Sequence, residues 1–329
     1  MSSYPLIADL FVEDNKQEAT RVGFGRGLKA AGEADENVVA LSADLTESTQ
    51  ISLFKDAFPE RFIEIGVAEQ NLVTVASGLA RAGKIPFTSS YAAFSPGRNW
   101  EQIRTTICLN EMPVKIIGSH AGISVGPDGA THQMLEDIAL MRVLPHMVVI
   151  APGDSIEAEK ATRAIATNGQ PSYLRLARDK TPIFSTNESP FEIGKAYVLR
   201  EGNDITLLGT GTMTYQLLVA AKELENHGIH AEVVHVPTIK PLDETTILES
   251  LRKTGRAVTA EEAQAAGGFG GAIAELVTHN IPMPLLRIGI YDRYGESGTP
   301  AELLDHFGLT GEKMADKIKH FCDHFPQYR

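Results

Sequence analysis

Apolar and polar residues alternate along the first half of the chain with two periods, one typical of buried strands and one typical of amphipathic helices. Short apolar runs predict strands at 38–42, 62–65, 86–90, 114–118, 147–151 and 173–177. Apolar positions at helical spacing predict helices at 17–31, 68–82, 98–109, 134–143 and 155–167. Strands that alternate with helices in this way form a mostly parallel sheet with both faces covered.

The pattern is interrupted at 179–190, a polar segment rich in turn-forming residues that we interpret as a linker. A second alternating unit follows. Its predicted strands are 205–209, 231–236, 257–260 and 285–290, and its predicted helices are 213–226, 244–253, 269–279 and 301–306. The sequence therefore predicts two α/β domains with mostly parallel sheets, at 1–185 and 186–329.

Composition narrows the class of protein. The 329 residues are 43% hydrophobic and 22% charged, which is ordinary for a soluble globular protein. A formal net charge of -12 without a basic segment argues against nucleic-acid binding. No apolar run is long enough to span a membrane, no signal pattern opens the chain, and Cys108 and Cys322 lack metal-type spacing. We expect a cytoplasmic protein without a structural disulfide.

Glu69 is the charged residue that most needs an explanation. It follows a predicted strand and opens a predicted helix of apolar and small residues, in which Arg81 is the only other charged side chain. A helix of this composition is predicted to be buried. A buried carboxylate must be paired, neutralised or used, because unpaired burial costs several kcal/mol. The structural alternative is a first-turn glutamate favoured by the helix dipole.

Two further segments follow Glu69 at a characteristic spacing. Residues 90–99 read Ser-Tyr-Ala-Ala-Phe-Ser-Pro-Gly-Arg-Asn, and residues 126–133 read Gly-Pro-Asp-Gly-Ala-Thr-His-Gln. Together with Gly-Val-Ala-Glu-Gln-Asn at 66–71, these motifs resemble the C-terminal half of a transketolase, and the resemblance covers nearly the whole chain from about Arg21. It implies a pyrimidine-binding domain followed by a transketolase C-terminal domain.

The resemblance implies thiamine diphosphate as cofactor. Glu69 then corresponds to the carboxylate that binds the pyrimidine ring nitrogen and activates the cofactor, and low dielectric would strengthen such a bond. Tyr91 and Phe94 match the aromatic wall against which the pyrimidine stacks, although core packing is the alternative for both. His132 is expected to be catalytic, in contact with the donor's keto oxygen or a hydroxyl group. Asp128 is expected to bind a donor hydroxyl.

Four residues resemble positions that hold the substrate phosphate in transketolases, namely Arg21, Ser48, His120 and Arg178. Guanidinium groups suit this role because they bind phosphate bidentately. Arg178 follows a predicted strand, so it should lie at the strand end that faces a ligand crevice. Arg21 could equally be an exposed helix residue.

The chain lacks the Gly-Asp-Gly segment with a downstream asparagine that holds the metal and diphosphate in thiamine enzymes. Divalent cations need their own oxygen ligands. We therefore expect no metal ligand here, and predict that an N-terminal transketolase subunit supplies the diphosphate-binding domain and the Mg²⁺ ligands, in a heterotetramer. The predicted activity is transfer of a two-carbon ketol unit between sugar phosphates.

Three alternatives stay open: the β subunit of a 2-oxo-acid dehydrogenase, a deoxyxylulose-phosphate-synthase-like enzyme, and a non-catalytic scaffold subunit. The loop at 126–133 favours transketolase over the dehydrogenase, and the joint presence of reactive side chains argues against a scaffold. The glycines at 23–27 follow no strand, so they are not a dinucleotide motif. Glu261, Glu262 and the glycines at 267–271 are expected to serve folding and subunit contacts.

Overall fold

The structure is a computed structural model that describes residues 4–12 and 15–327. The strands are β1 (Gln17–Ala19), β2 (Val38–Ser42), β3 (Phe62–Glu64), β4 (Ile85–Tyr91), β5 (Lys115–Ser119), β6 (Val148–Ile150), β7 (Ser172–Arg175), β8 (Lys180–Pro182), β9 (Tyr197–Arg200), β10 (Ile205–Gly209), β11 (Ala231–His235), β12 (Thr238–Lys240), β13 (Ala257–Gln264) and β14 (Leu285–Ile290). The helices are α1 (Thr20–Ala34), α2 (Ser52–Ala57), α3 (Glu69–Arg81), α4 (Trp100–Gln102), α5 (Asp137–Arg142), α6 (Ser155–Thr167), α7 (Met213–Glu225), α8 (Glu244–Thr254), α9 (Phe269–Asn280), α10 (Pro300–His306) and α11 (Gly311–His324). Helix α4 continues as a π-helical turn over Ile103–Cys108.

The larger sheet has the strand order β12-β6-β7-β5-β4-β2-β3 and is parallel except for β12. One face packs against α1 and α6 through a core that includes Phe24, Leu28 and Ile165. The other face packs against α3 and α5 through a second core that includes Leu72 and Met141. Two covered faces explain why these strands are apolar without alternation.

The smaller sheet has the order β14-β13-β10-β11-β9, with only β9 antiparallel. Helices α7 and α11 share a core with one face, whereas α8 and α9 contribute to the core that α3 and α5 also enter. The predicted fold class, two α/β domains with mostly parallel sheets, is confirmed. The two units share apolar contacts, and β12 from the second half of the chain pairs with β6 of the larger sheet.

Several predicted elements differ from the structure. The helix predicted at 17–31 begins only at Thr20, because residues 17–19 pair with β8 as strand β1. The interpretation of 179–190 as a linker is wrong in one respect, since β8 lies within it. The amide groups of Phe184 and Ser185 donate to Asp154, so this segment is anchored to the larger unit. The sequence pattern did not predict α2, β9, β12 or α11.

The N-terminal glycines of α1 serve helix packing. The expectation that they follow no strand is wrong, since β1 directly precedes α1, but β1 pairs antiparallel with β8 outside the parallel sheet, so it does not supply the strand of a dinucleotide motif. A Cβ atom at Gly23 would lie 1.8 Å from the Ser155 carbonyl oxygen, and one at Gly27 would lie 2.6 Å from the Glu159 carbonyl oxygen. Helices α1 and α6 therefore approach closely only because these positions lack side chains. Within the part of the chain that the structure describes, no helix is both long and apolar enough to cross a bilayer.

Candidate active site

A tight turn between β3 and α3 positions Glu69. Glu64 at the end of β3 accepts hydrogen bonds from the amide groups of Asp44 at 2.8 Å and Gly66 at 2.9 Å, which fixes the chain as it leaves the sheet. Gly66 adopts a φ of 78°, a conformation that favours glycine. Helix α3 then begins at Glu69, so the carboxylate lies at the positive end of the helix dipole.

Glu69 is 5% exposed and is held from both its backbone and its side chain. The Asn99 amide group donates to the Glu69 carbonyl oxygen at 2.8 Å. Arg98 Nη1 lies 3.4 Å from both carboxylate oxygens, and the Arg98 guanidinium stacks 4.2 Å from the centre of the Phe94 ring. Because Arg98 is 54% exposed, this pair lies at the surface of a crevice and is solvent-screened on one side.

The crevice beside Glu69 has a volume of about 520 Å³. It is lined by Val67, Ala68, Glu69, Gln70, Asn71 and Arg98. The prediction that the whole of α3 is buried is wrong: Val75 on this helix is exposed, and Val67 just before it is 71% exposed. Helices of small and apolar residues need not be buried along their whole length in the core of their own chain.

Four rings lie together at the carboxyl ends of β4 and β5. The rings of Tyr91 and Phe94 are stacked with centres 5.9 Å apart, and the His120 ring stacks on Tyr91 at 3.8 Å. The His132 ring meets Phe94 edge-on at 5.4 Å. The sequence had placed Tyr91 and Phe94 in one pocket, and the structure brings His120 and His132 to the same pocket.

Of the four predicted phosphate-binding residues, His120 is one of these rings, and Arg21 contacts both Ser48 and Arg178. The Thr20 hydroxyl oxygen accepts from the Ala177 amide at 2.8 Å, which brings the first turn of α1 to the end of β7. Arg21 then donates from Nε to the Arg178 carbonyl oxygen at 3.1 Å and from Nη1 to the Ser48 carbonyl oxygen.

This arrangement has electrostatic consequences. Burial, followed by the charge of Arg178, lowers the pKa of Arg21. Burial, followed by the charges of Arg21 and Arg178, lowers the pKa of His120 to about 3. His120 is therefore neutral at pH 7, and the two guanidinium groups supply the positive charge. Arg21 is half-buried and belongs to this cluster. It is therefore not an exposed helix residue, which was the alternative interpretation.

Residues 122–133, which we call the site loop, carry Asp128 and His132. Three glycines of the loop, Gly122, Gly126 and Gly129, have φ values of 84°, 81° and 71°. His132 Nδ1 lies 2.9 Å from the Thr131 hydroxyl oxygen, which restricts the imidazole ring. Asp128 is exposed at the end of a 3₁₀ turn, and among the described contacts it has no hydrogen bond to another predicted site residue.

The sequence assigned no site contact to three residues that touch the site: Arg98, which it offered only as a positive charge for an anionic substrate, Asn99 and Gln133. Arg98 and Asn99 stand in a motif that was recognised, but their contacts with Glu69 depend on how α3 and α4 pack. Gln133 is the last residue of the motif in the site loop, and its amide nitrogen donates to the carbonyl oxygens of Ile123 and Gly126 in the loop and of Glu296 outside it. Its place in the motif is the sequence signal that could have identified it.

No group of three or more histidine, cysteine, aspartate or glutamate side chains in the described residues could hold a metal ion. The two cysteines are free, with Cys108 buried and Cys322 partly buried. The candidate site of this chain is thus a carboxylate, an aromatic pocket and an arginine pair.

Two family models match the chain. Residues 16–183 match the pyrimidine-binding domain of transketolase, and residues 194–314 match the transketolase C-terminal domain. A protein of Methanocaldococcus jannaschii named as a transketolase C-terminal section is 47% identical over 91% of this chain and 94% of its own length. The 6-deoxy-6-sulfo-D-fructose transketolase subunit SqwH of a Clostridium species is 42% identical over 85% of this chain and 87% of its own length.

Solved transketolase structures are also similar to this chain. A structure described as a split gene transketolase, inactive beta4 tetramer, superposes with a TM-score of 0.87 at 43% identity, covering 93% of this chain and 98% of that one. A Campylobacter jejuni transketolase superposes with a TM-score of 0.78 at 28% identity, and 48% of that chain is covered. The 1-deoxy-D-xylulose-5-phosphate synthase of Prochlorococcus marinus is 36% identical over 90% of this chain, which spans 47% of that enzyme.

Proposed function

This chain belongs to the transketolase family, and we propose that it is the catalytic C-terminal half of a split transketolase that transfers a two-carbon ketol unit between sugar phosphates. The observation that carries the proposal is the grouping of a buried carboxylate, Glu69, with the Tyr91 and Phe94 rings and the arginine pair Arg21 and Arg178. A carboxylate beside an aromatic wall suits a cofactor ring, and a distant cationic pair suits a substrate phosphate.

The residues present fit the pyrimidine half of thiamine diphosphate, which would supply the carbon nucleophile of the reaction. Glu69 would hold a proton at a pyrimidine ring nitrogen, and its 5% exposure keeps water from competing for that bond. Phe94 and Tyr91 would orient the ring by stacking. The Arg98 guanidinium covers Phe94, so a planar ring bound on that face would displace Arg98 from Glu69.

The substrate would lie between the rings and the arginine pair. His132, which faces Phe94 edge-on, is proposed to contact the donor's keto oxygen or a hydroxyl group, and Asp128 is proposed to bind a donor hydroxyl. Arg21 and Arg178, with Ser48 and the neutral His120, are proposed to bind the phosphate. Charge-assisted bonds from guanidinium groups are the strongest that such a site can offer.

The partner is proposed to be an N-terminal transketolase subunit that carries the diphosphate and Mg²⁺ ligands, in a heterotetramer. Three observations support this proposal. The sequence lacks those ligands, and the crevice beside Glu69 is open and borders exposed apolar residues, including Val67. The relatives named as a C-terminal section and as a split gene transketolase have the same extent as this chain.

A sulfonated donor is a second candidate, because the relative named for 6-deoxy-6-sulfo-D-fructose is 42% identical to this chain. A sulfonate is a tetrahedral anion like a phosphate, so an arginine pair can bind either one. The donor panel of any assay should therefore contain a phosphorylated ketose, a sulfonated ketose and a free ketose.

Reconstitution tests the proposal. The isolated chain is expected to show no ketol transfer and to bind thiamine diphosphate with Mg²⁺ poorly by calorimetry, because it lacks ligands for the diphosphate. Adding the N-terminal subunit should restore both. Full turnover by the isolated chain would refute the split-enzyme proposal, and absence of ketol transfer from every donor in the panel after reconstitution would refute the activity.

A further inference from the structure

The described backbone hydrogen bonds of the site loop stay within the loop or join Gly122 to Met134 just after it. Its position relative to the rest of the molecule therefore depends on side chains that reach it from elsewhere. An isolated β-bridge joins the two ends of the loop, from Ala121, just before it, to Met134, just after it. Within the loop, three glycines adopt positive φ values, a backbone conformation that other residues rarely reach. The loop nevertheless carries Asp128 and His132, which the proposed reaction requires at defined positions.

Glu262 of β13 reaches the loop from the smaller domain. Its side chain is 3% exposed, and Oε1 accepts a hydrogen bond from the Ser124 amide at 2.6 Å. Its other oxygen accepts from the Thr212 hydroxyl at 3.3 Å. A Cβ atom at Gly122 would lie 2.4 Å from Glu262 Oε1, so the loop backbone packs directly against the Glu262 carboxylate.

The backbone of Glu262 is fixed by a second buried network. Arg175 Nη2 donates to the Glu262 carbonyl oxygen at 2.8 Å, and Arg175 Nε donates to Asp137 at 2.9 Å. Burial raises the pKa of Glu262, and Arg175 and the hydrogen bonds from Ser124 and Thr212 oppose that rise. A fully bonded polar group of this kind restricts the structure around it to one arrangement.

Two more side chains, those of Gln133 and Arg178, also hold the loop. Gln133 Nε2 donates to the Gly126 carbonyl oxygen at 3.1 Å and to the Glu296 carbonyl oxygen of the smaller domain at 2.8 Å. Arg178 Nη1 donates to the Val125 carbonyl oxygen, which follows Ser124 directly. The loop backbone at 124–126 is therefore bound at consecutive residues by Glu262, Arg178 and Gln133.

We propose that Glu262 is a positioning residue of the enzyme: by holding the Ser124 amide, the smaller domain sets the site loop, which carries Asp128 and His132, so that His132 meets the Phe94 ring of the aromatic pocket. The inference rests on the proposed function for its catalytic consequence. It gives the C-terminal domain a role in the chemistry of the larger domain, beyond the folding and subunit contacts that the sequence had indicated for Glu262.

The test compares three variants in the reconstituted enzyme. Glu262→Leu keeps the volume of the side chain but removes the acceptor for the Ser124 amide. Glu262→Gln keeps an acceptor oxygen, and its amide group can donate to Thr212, so it should rescue the contact. Glu261→Gln is the matched control, because Glu261 is a buried carboxylate on the same strand that accepts from the amides of Phe269 and Gly270 in α9.

The first readout is amide hydrogen exchange of the peptide that contains 122–129. Glu262→Leu should accelerate exchange there by roughly ten- to a hundredfold, because it leaves the buried Ser124 amide without its hydrogen-bond acceptor. Glu262→Gln and Glu261→Gln should leave this peptide at the wild-type rate. If Glu262→Leu does not assemble, Glu262→Asp, which is one methylene shorter, should show the same local acceleration. Wild-type exchange in Glu262→Leu would overturn the inference.

The second readout separates positioning from a general loss of folded enzyme. Glu262→Leu should lower turnover by about ten- to a hundredfold, as expected for misplaced catalytic groups. Proton exchange at the cofactor's thiazolium carbon, which would depend on Glu69, should stay at the wild-type rate. A parallel fall of both rates would overturn the positioning role. If the wild-type enzyme transfers no ketol unit, the proposed function fails with the catalytic part of this inference, while loop exchange still decides the contact.

Discussion

The arginine pair offers the sharpest test of how this site would recognise its substrate. We predict that Arg178→Ala raises the Michaelis constant for a phosphorylated donor much more than it lowers turnover. A phosphate bound far from the reacting carbon contributes nearly equal binding to the ground state and the transition state, so its loss affects KM first. Charge-assisted bonds of about 2 kcal/mol correspond to a rise of roughly thirtyfold.

The structure adds a second effect that the experiment must separate. Arg178 also donates to the Val125 carbonyl oxygen in the site loop, so the alanine variant loses a loop contact as well as a phosphate contact. A free ketose donor reports the loop effect alone, because it has no phosphate to lose. The ratio of the two KM changes therefore measures the phosphate contribution, and it should be roughly thirtyfold.

Steady-state kinetics of the reconstituted enzyme with paired phosphorylated and free donors is the assay. Arg178→Lys keeps the charge but not the bidentate geometry, so its loss should be intermediate. Arg163→Ala, at an exposed position on α6, makes the same change in net charge and should leave both KM values unchanged. Equal losses on both donors for Arg178→Ala would show that Arg178 only supports the loop, and the phosphate assignment would then be withdrawn.

Three further predictions concern buried carboxyl groups. Glu69→Gln should leave the assembly folded but slow proton exchange at the thiazolium carbon by at least about a hundredfold, because an amide cannot exchange a proton with the pyrimidine nitrogen; an unchanged rate would make Glu69 a structural helix-start residue. Asp154→Ala should lower the free energy of unfolding by roughly 3–5 kcal/mol, since it leaves three buried amide groups without an acceptor. Denaturant titration measures this, and a loss below about 1 kcal/mol would show that the amides find other partners. Burial raises the pKa of Glu261 to about 7, so the folded state binds a proton that the unfolded state has released, and stability should fall as the pH rises from the ordinary glutamate pKa towards 7. Glu261→Gln should flatten this dependence, and an identical pH profile in the variant would refute the assignment.

The periodic pattern of the chain was sufficient for most of the fold. Strands β2, β10 and β14 and helix α6 have the predicted bounds, and Asp154 caps α6 by accepting from the Glu157 amide. These features are local: a buried strand or a helix cap is encoded by residues within one element. The same holds for the motif around Glu69, where strand, glycine turn and helix start follow each other directly.

Tertiary structure decided the rest, because the relevant partners are far apart in sequence. Residues 17–19 form a strand only because β8 lies beside them, and no local preference indicates that pairing. Arg21 and Arg178 meet across 157 positions, and Glu262 reaches the Ser124 amide across 138 positions. Arg98 pairs with Glu69 only when α3 and α4 pack together. Sequence motifs predicted a set of reactive side chains for the site, whereas packing between elements determined which of them lie together, which are paired and which are held in place.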